Sequence, residues 1–343
     1  MKASVVVVDW KRPELTRRCL GSLAPQCVAG EIDVVLVVNE ADAADVEAYE
    51  RDFPDVLVVP LSGNTGFAGG VQAGIDASSG DVVVLLNNDA VAAPDFVSRG
   101  LEALGSAGAG TAAVAARVEL DGSFAPDPSG PHADSLTGLD GRGWVRSVLP
   151  TGVRLLNGEG IAVDRWGNGF DRGWLEPVTS GSEWPQPLFG FSGGACFVRR
   201  EALDRIGGFD GSLFMYYEDL DVSWRLRLAG WEIGSAPGAV AVHRHAGSSS
   251  SGSPFIKYQS MRNRLAVVLR NGSLEMVLRV IARVALRAVA DVAPVGRSQL
   301  SRSQWARLLP DLPRLVLRAV SLRRRDAVPA DARRRVERTV LTR

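Results

Sequence analysis

The sequence lacks the features of a membrane-spanning or disulfide-bonded protein. No run reaches the roughly 18 uncharged apolar residues of a transmembrane helix. The apolar run after Met1 is too short for a signal peptide and is predicted to be a first strand. The cysteines, Cys19, Cys27 and Cys196, fit neither a metal spacing nor a disulfide framework. We therefore expect a reducing, cytoplasmic location, which includes the inner face of the cell membrane.

The segment after the first strand also lacks glycine. A dinucleotide oxidoreductase would carry G-x-G-x-x-G there, and a nucleotidyltransferase would carry a Gly-rich loop with Lys or Arg. The sequence instead reads DWKRPE at 9–14, which disfavours both enzyme classes.

The net charge of zero conceals an uneven distribution. Residues 271–343 contain 16 Arg, no Lys and 6 acidic residues, a net charge of +10, so residues 1–270 carry −10. Such a basic tail suggests either contact with an anionic surface or a solvated helical surface, and we expect no nucleic-acid partner. Arg279, Arg283 and Arg287 share one face of an apolar helix. This pattern favours packing plus peripheral membrane contact, with packing alone as the alternative.

Apolar strand-like runs alternate with helical segments in residues 1–118. This alternation predicts a Rossmann-like, doubly wound, mostly parallel α/β sheet that forms a nucleotide-binding half. Strands are expected at 4–10, 32–39, 55–61 and 81–89, with helices at 12–23, 42–53 and 66–80.

The periodicity is lost in residues 119–188, which are rich in Pro, Gly, Ser and Asp. We predict an irregular insert, either functional or disordered. Order resumes in 189–270, the expected catalytic half, which includes a helix at 218–231. Residues 271–343 are predicted to form a basic amphipathic helical tail whose last part, 323–338, is solvated or disordered.

The buried run 82–86 ends in Asn87, Asn88 and Asp89. Open α/β sheets bind ligands at the carboxyl ends of their strands. Asp89 is therefore predicted to bind a divalent cation that bridges phosphate oxygens. The alternative is a helix cap, but Pro94 is expected to begin the next helix, which puts Asp89 too early.

Six segments occur in an order that resembles the family-2 inverting glycosyltransferases, with most likeness to their bacterial rhamnosyltransferase-like branch. The resemblance covers about residues 3–270 and implies one GT-A domain over 1–270, a nucleoside-diphosphate sugar donor, Mn²⁺ or Mg²⁺, and inversion at the anomeric carbon. The segments are VVVVDWKRPELTRRCLGSL, NTGFAGGVQAGI, LLNNDA, FSGGACFVRREALDRIGGFD, YYEDLDVSWRLRLAGW and VAVHRHAGSS.

The resemblance assigns most candidate residues to the donor. Asn87 replaces the first Asp of an Asp-x-Asp metal motif that ends in Asp89, and Asn39 replaces an Asp that contacts the nucleobase. An amide can still pair with a pyrimidine edge. The glycines would allow close backbone approach to the nucleotide, although ordinary turn chemistry is the alternative. The implied donor-binding residues are Asp9, Arg12, Asn39, Asn64, Gly66, Gly69, Asn87, Asn88, Asp89, Ser192, Gly193 and Gly194.

The acidic pair Glu218-Asp219 opens the helix at 218–231, where the helix dipole stabilises negative charge. By family match Asp219 is the general base, and Glu218 orients the acceptor or Asp219. Helix capping is the alternative. His243 is implied as a metal ligand beside Asp89, with His245 as its rival.

Several assignments stay open at this point. Trp166, Trp174 and Trp184 suit either sugar stacking or loop packing. Arg262 and Arg264 suit either a diphosphate clamp or a solvated helix face. The resemblance favours a dTDP- or UDP-linked sugar and a glycan or lipid-linked acceptor. Because Asn replaces Asp twice, a non-catalytic sugar- or nucleotide-binding relative, or a partner-binding module, remains the alternative function.

Overall fold

The computed structural model describes residues 1–27, 32–128, 135–178, 184, 186–244, 253–292 and 299–342. The strands are β1 Ala3–Asp9, β2 Ile32–Val38, β3 Val56–Pro60, β4 Val82–Leu86, β5 Ala90–Ala92, β6 Thr111–Leu120, β7 Ser123–Pro126, β8 Leu136–Thr137, β9 Gly143–Ser147, β10 Leu156–Gly158, β11 Ile161–Asp164, β12 Gly169–Asp171, β13 Ala195–Arg199, β14 Glu232–His243 and β15 Leu341–Thr342. The α-helices are α1 Pro13–Leu23, α2 Ala43–Asp52, α3 Gly66–Ala77, α4 Phe96–Ser106, α5 Arg200–Ile206, α6 Glu218–Leu228, α7 Pro254–Asn271, α8 Leu274–Val292, α9 Arg302–Asp326 and α10 Ala330–Val340.

One large sheet organises the chain. Its strand order is β3-β2-β1-β4-β13-β6-β14-β5, and β10 pairs with β6. The strands β1 to β4 are mutually parallel, as are β6 and β14, whereas β13, β10 and β5 pair antiparallel with their neighbours. The predicted mostly parallel α/β sheet is confirmed. Because β1, β2 and β4 are parallel, their carboxyl ends meet at one edge.

The β-branched and aliphatic residues of these strands explain why they are central. Every residue of β4 is buried, and so is nearly every residue of β1. Helices cover both faces of the sheet. Leu20 of α1 and Leu104 of α4 pack on one face, while Ile75 of α3 and Leu203 of α5 pack on the other. The strands are thus buried on both sides, as parallel sheets require.

Two sequence predictions need correction. The helix after β4 begins at Phe96 and not at Pro94, because Ala90–Ala92 first pairs with β14 as β5. The insert is more ordered than its composition predicts, since β7, β9 and β8 form a small sheet and β11 pairs with β12. These strands are two to five residues long, too short to give a periodic signal.

Of the two alternatives for the segment 323–338, disorder is wrong because the segment is largely helical, whereas most of its side chains are solvent-exposed, as the other alternative expects. Helix α9 continues to Asp326, and α10 buries the Arg333 side chain. The Arg333 guanidinium donates to the carbonyl oxygens of Arg270 and Asn271 at 2.6 and 2.9 Å. The last three helices share one apolar cluster with α6 and α7, which includes Trp224, Leu265, Met276, Trp305 and Val336. Within the described ranges, no helix combines the length and apolarity needed to span a membrane.

Candidate active site

The polar residues predicted to function lie along the carboxyl edge of the sheet. One group follows β1, β2 and β4, and a second lies at the starts of α3 and α6 and at the end of β14. Backbone and side-chain contacts join the two groups, so residues far apart in sequence form one surface.

Asn39, directly after β2, organises the loop that begins α3. Its side-chain amide donates to the carbonyl oxygen of Gly66 at 2.9 Å, and its Oδ1 accepts the N–H of Thr65 at 2.9 Å. Asn64 Oδ1 accepts the Gly66 N–H at 2.9 Å. Asn39 is buried, so its hydrogen bonds shape the 64–66 loop, while Asn64 is exposed towards solvent.

The Asp9 carboxylate is occupied by protein donors. Thr16 Oγ1 donates at 2.7 Å, Tyr49 OH at 3.2 Å, Asn88 Nδ2 at 3.1 Å and the Arg12 N–H at 3.3 Å. Asp9 is also 1% exposed. We therefore give Asp9 and Asn88 a supporting role beneath the site, whereas the Arg12 side chain is exposed and accessible to a ligand.

Asp89 and His243 form the strongest candidate for a metal centre. His243 Nε2 lies 3.0 Å from Asp89 Oδ1, and Asn157 Oδ1 lies 3.0 Å from the other ring nitrogen of His243. Asp89 Oδ1 is buried and accepts no other hydrogen bond from a described residue. A buried carboxylate oxygen whose described polar neighbour is an oriented imidazole nitrogen fits a divalent cation between the two.

Asp89 and His243 are the two candidate ligands at this centre. Among the described residues, no group of three His, Cys, Asp or Glu side chains is arranged to hold a metal ion. This count suits a cation that also binds substrate phosphate and water, as Mg²⁺ commonly does. The rival ligand His245 lies outside the described residues.

A cavity of about 230 Å³ opens beside Asp89. Arg18 of α1 and Arg244, which follows β14, both line it, together with a second carboxylate, Asp121, and the apolar side chains of Leu15 and Val242. Both arginines are exposed, and neither forms a salt bridge with another described residue. Arginine in this setting suits phosphate oxygens.

The segment Ser192–Gly194 connects the metal candidate to the acidic pair. The Asn87 N–H donates to the Gly194 carbonyl oxygen at 2.9 Å, and the Gly193 N–H donates to Asp219 Oδ2 at 2.9 Å. Ser192 Oγ accepts the Gly194 N–H at 3.3 Å. A Cβ at position 193 would lie 3.0 Å from the Phe67 ring, so glycine permits this close approach.

Glu218 and Asp219 occupy different environments although they are adjacent. Asp219 Oδ1 accepts the Leu220 N–H at 2.7 Å, so both of its oxygens have backbone donors. Burial raises the pKa of Asp219, and these backbone donors oppose the rise. Glu218 is buried, its Oε2 has no partner, and burial followed by repulsion from Asp219 raises its pKa well above the ordinary value. The geometry favours an ionised Asp219 beside a protonated Glu218.

The loop before the acidic pair is strained. Phe214, Tyr216 and Tyr217 have φ of 63°, 67° and 72°, a left-handed conformation that costs energy for residues with side chains. Asn263 of α7 holds this loop, because its amide donates to the carbonyl oxygens of Leu213, Met215 and Tyr216 at 2.7, 2.9 and 2.7 Å.

Asp171, in the insert, was missed by the sequence argument. It is half-buried on β12, and burial followed by repulsion from Asp219 raises its pKa to about 7, while His243 opposes the rise. Asp171 therefore lies within electrostatic range of the base and metal candidates. No sequence signal could have found it, since β12 has three residues and no periodicity.

Several residues whose roles the sequence left undecided make contacts within the protein. Trp184 Nε1 donates to Glu159 at 2.8 Å, and the Arg283 guanidinium lies 4.3 Å from the Trp166 ring centre. Arg264 is buried and donates to Asn168, so it does not lie on a solvated helix face. Asp221, in the first turn of α6, is buried and pairs with Arg225 at 2.8 Å.

Comparison with known proteins assigns the class. The solved structures that this fold resembles are glycosyltransferases of the GT-A type, which confirms the predicted fold class. The sequence matches Glycosyl transferase family 2 over residues 4–207, and the chain belongs to this family. It is therefore a glycosyltransferase that acts on nucleotide sugars.

A curated relative lies in the branch that the sequence resembles. This relative is the N-acetylglucosaminyl-diphospho-decaprenol L-rhamnosyltransferase of Mycobacterium tuberculosis, 28% identical over 262 residues, which are 71% of this chain and 76% of the relative.

The structural relatives support the fold alone. GalNAc-T7 with UDP, GalNAc and Mn²⁺ has a TM-score of 0.61 at 14% identity over 99% of this chain, which spans 56% of that structure. S. aureus TarS 1-349 with UDP-GlcNAc has a TM-score of 0.52 at 17% identity, over 99% of this chain and 91% of that one.

Proposed function

We propose that the chain is an inverting glycosyltransferase in which Asp219 is the general base. The observation that carries this proposal is the contrast within the acidic pair. Asp219 is half-buried, and its charged form accepts two backbone hydrogen bonds, whereas Glu218 is buried without a donor on Oε2. A partly exposed, ionised carboxylate can accept a proton from an acceptor hydroxyl.

The proposed reaction is a single displacement. Asp219 takes the proton of the acceptor hydroxyl as its oxygen attacks the anomeric carbon. The bond from that carbon to the diphosphate oxygen breaks, and the nucleoside diphosphate leaves with the bonding electrons. One displacement inverts the anomeric configuration. Asn39 and Asn64 shape the loop proposed to cover the nucleotide, and Gly193 holds Asp219 in position.

Asp89 and His243 would hold the divalent cation, Mn²⁺ or Mg²⁺. When bound, it would supply positive charge against the leaving diphosphate. Arg18 and Arg244 add two further positive charges around the same cavity. With a bound cation, these positive charges would exceed the negative charges of Asp89 and Asp121, which supports a diphosphate leaving group at the Asp89 end of the surface.

For the substrates we propose an L-rhamnosyl donor linked to dTDP or UDP, and a lipid-linked glycan acceptor. The name of the M. tuberculosis relative supports both classes, since that protein transfers L-rhamnose to N-acetylglucosaminyl-diphospho-decaprenol. We therefore place the protein in cell-wall or polysaccharide biosynthesis.

The test is a transfer assay with purified protein. A panel of nucleoside-diphosphate sugars is incubated with Mn²⁺, Mg²⁺ or EDTA and a short-chain N-acetylglucosaminyl-diphospho-prenol. Release of nucleoside diphosphate is measured, and NMR of the product gives its anomeric configuration. Asp89→Ala is the test variant. Asp81→Ala is the matched control, because Asp81 lies at the opposite end of β4.

Metal-dependent transfer from one donor, with inverted configuration and loss in Asp89→Ala only, is the expected result. Retention of configuration would reject the single displacement. If no nucleotide bound by calorimetry with or without metal, catalysis would be rejected. The result would then favour a non-catalytic module that binds a partner, in which Asn87 replaces an aspartate of the metal motif.

A further inference from the structure

The exposed apolar side chains of this protein are concentrated in two helices. Sixteen large apolar residues are exposed among the described residues, and nine of them lie on α8 and α9. Scattered surface leucines are ordinary, but a concentration of this kind marks an interaction surface. The nine residues are Leu274, Leu278, Ile281, Leu286, Val289, Leu309, Val316, Leu317 and Val320.

Helix α8 has three distinct sides. Its buried side carries Met276, Val280 and Val284, which join the apolar cluster shared with α7. The exposed apolar residues recur at intervals of three to five, so they lie as a stripe on one broad side of the helix. Arginines spaced four apart, 279, 283 and 287, run along one edge of that stripe.

Helix α9 repeats this arrangement. Trp305, Leu308, Leu315 and Ala319 are buried, and the stripe of Leu309, Val316, Leu317 and Val320 is exposed. The spacing of Arg307, Arg314, Arg318 and Arg325 places them together along one flank of the stripe. Arg307 stacks on the Tyr258 ring and Arg318 pairs with Asp210, while Arg314 and Arg325 are largely exposed. Two neighbouring helices thus show the same order of buried side, apolar stripe and arginine flank.

The two helices are antiparallel neighbours. At one end, Trp305 Nε1 donates to Asp291 Oδ2 at 3.1 Å, which joins the start of α9 to the end of α8. At the other end, the Arg323 guanidinium donates to the Gly272 carbonyl oxygen at 2.8 Å, just before α8 begins. Because both helices bury their opposite sides in the protein, both stripes face outward.

We propose that α8 and α9 together form a docking surface for an anionic lipid membrane. An amphipathic helix lies in a bilayer interface when an apolar face is flanked by basic residues whose long side chains reach the headgroups. Helices α8 and α9 together contain ten Arg and four acidic residues, a net charge of +6, which complements anionic lipid, whereas a self-association surface gains nothing from one sign of charge. The inference goes beyond the proposed reaction, because membrane binding needs neither donor nor acceptor.

The test is flotation of the full chain with phosphatidylcholine vesicles in which about one third of the lipid is phosphatidylglycerol. Leu278→Glu on α8 and Leu317→Glu on α9 should each weaken binding by about tenfold or more, since each removes an apolar side chain from lipid. Leu149→Glu is the matched control, because Leu149 is 62% exposed in the insert, far along the chain from these helices. Pure phosphatidylcholine and raised salt should both weaken binding of the unchanged protein.

Three outcomes would overturn the proposal. The unchanged protein could fail to float with the anionic vesicles at low salt. Leu149→Glu could weaken binding as much as the α8 and α9 variants. Light scattering could show a dimer that Leu317→Glu dissociates, which would make a second copy the occupant of the surface. Transfer to a water-soluble acceptor should stay unchanged in all three variants, so failure of the reaction and failure of docking give different results.

Discussion

Asn263 donates its side-chain amide to the carbonyl oxygen of Tyr216 at 2.7 Å, two residues before Glu218. Tyr216 and Tyr217 both have positive φ, so this segment does not hold its shape by intrinsic preference. The same amide reaches the carbonyls of Leu213 and Met215. We infer that Asn263 positions the acidic pair by holding the strained loop that precedes it.

Replacement of Asn263 by Leu should lower kcat by about 10- to 100-fold, because small displacements of a catalytic group are costly. It should also lower the unfolding free energy by about 2 kcal/mol, since buried carbonyls lose their donor. Kinetics and urea unfolding measure the two effects. Gln26→Leu is the control, because Gln26 donates to the Ser22 and Ala93 carbonyls away from the acidic pair. An equal loss of kcat in the control would contradict the positioning role.

The two carboxyl groups of the acidic pair should respond differently to amide substitution. Asp219→Asn removes the proposed base and should lower kcat by about 100-fold or more. Glu218→Gln should keep kcat within about threefold, because an amide resembles the protonated carboxyl that burial favours at this position. Single-turnover transfer rates at saturating donor measure both. A larger loss in Glu218→Gln than in Asp219→Asn would reverse the assignment.

The same assignment predicts the pH dependence. Burial raises the pKa of Asp219, and the base acts only when ionised. The rate should therefore fall as the pH is lowered through this raised pKa, at a pH above the ordinary Asp value of about 3.9. In Glu218→Gln the acid limb should stay in place, since Glu218 is already neutral there. A profile of kcat/KM against pH tests this, and a large shift of the limb in Glu218→Gln would mean that Glu218 is ionised.

Much of the scaffold could be predicted because its signals are local. The apolar runs of β1, β2 and β4 and the apolar periodicity of α1 lie within short windows, and they fold as expected. The polar strand end at Asp89 was visible for the same reason. Pro94 was misleading, because pairing of β5 with β14, a contact distant in sequence, delays the helix to Phe96.

The supporting contacts of the site could not be predicted, because they join distant residues without a pattern. Asn157 meets His243 across 86 residues, and Asn88 meets Asp9 across 79. From the sequence, the Asp9 carboxylate could bind a ligand. Only the structure shows that hydrogen-bond donors of the protein already surround it. The burial of Arg333 could not be predicted for a related reason. It depends on a hydrogen bond to the carbonyl oxygen of Arg270 near the end of α7, which is distant in sequence.

The metal candidate makes a quantitative prediction. Asp89→Asn and His243→Ala should each weaken Mn²⁺ binding in the presence of UDP by at least tenfold. Asn157→Ala should weaken it by about 10- to 100-fold if Asn157 orients the imidazole of His243. Titration followed by the electron paramagnetic resonance of free Mn²⁺ measures these affinities. Asp121→Asn is the control, since Asp121 lines the same cavity. Unchanged affinity in Asp89→Asn would exclude this centre.

Gly66 should be the least replaceable glycine of the loop that begins α3. Its φ is +71°, and a Cβ there would lie 2.2 Å from the carbonyl oxygen of Phe214. Gly66→Ala must therefore displace the strained loop before Glu218, and we expect a loss of at least about 2 kcal/mol in unfolding free energy, together with a lower kcat. Gly63→Ala is the matched control, because a Cβ at Gly63 meets nothing within 4 Å. Urea unfolding and transfer kinetics compare the two variants. If the Gly66→Ala and Gly63→Ala variants were equally stable and active, the close approach of Gly66 to Phe214 would not matter for stability or activity.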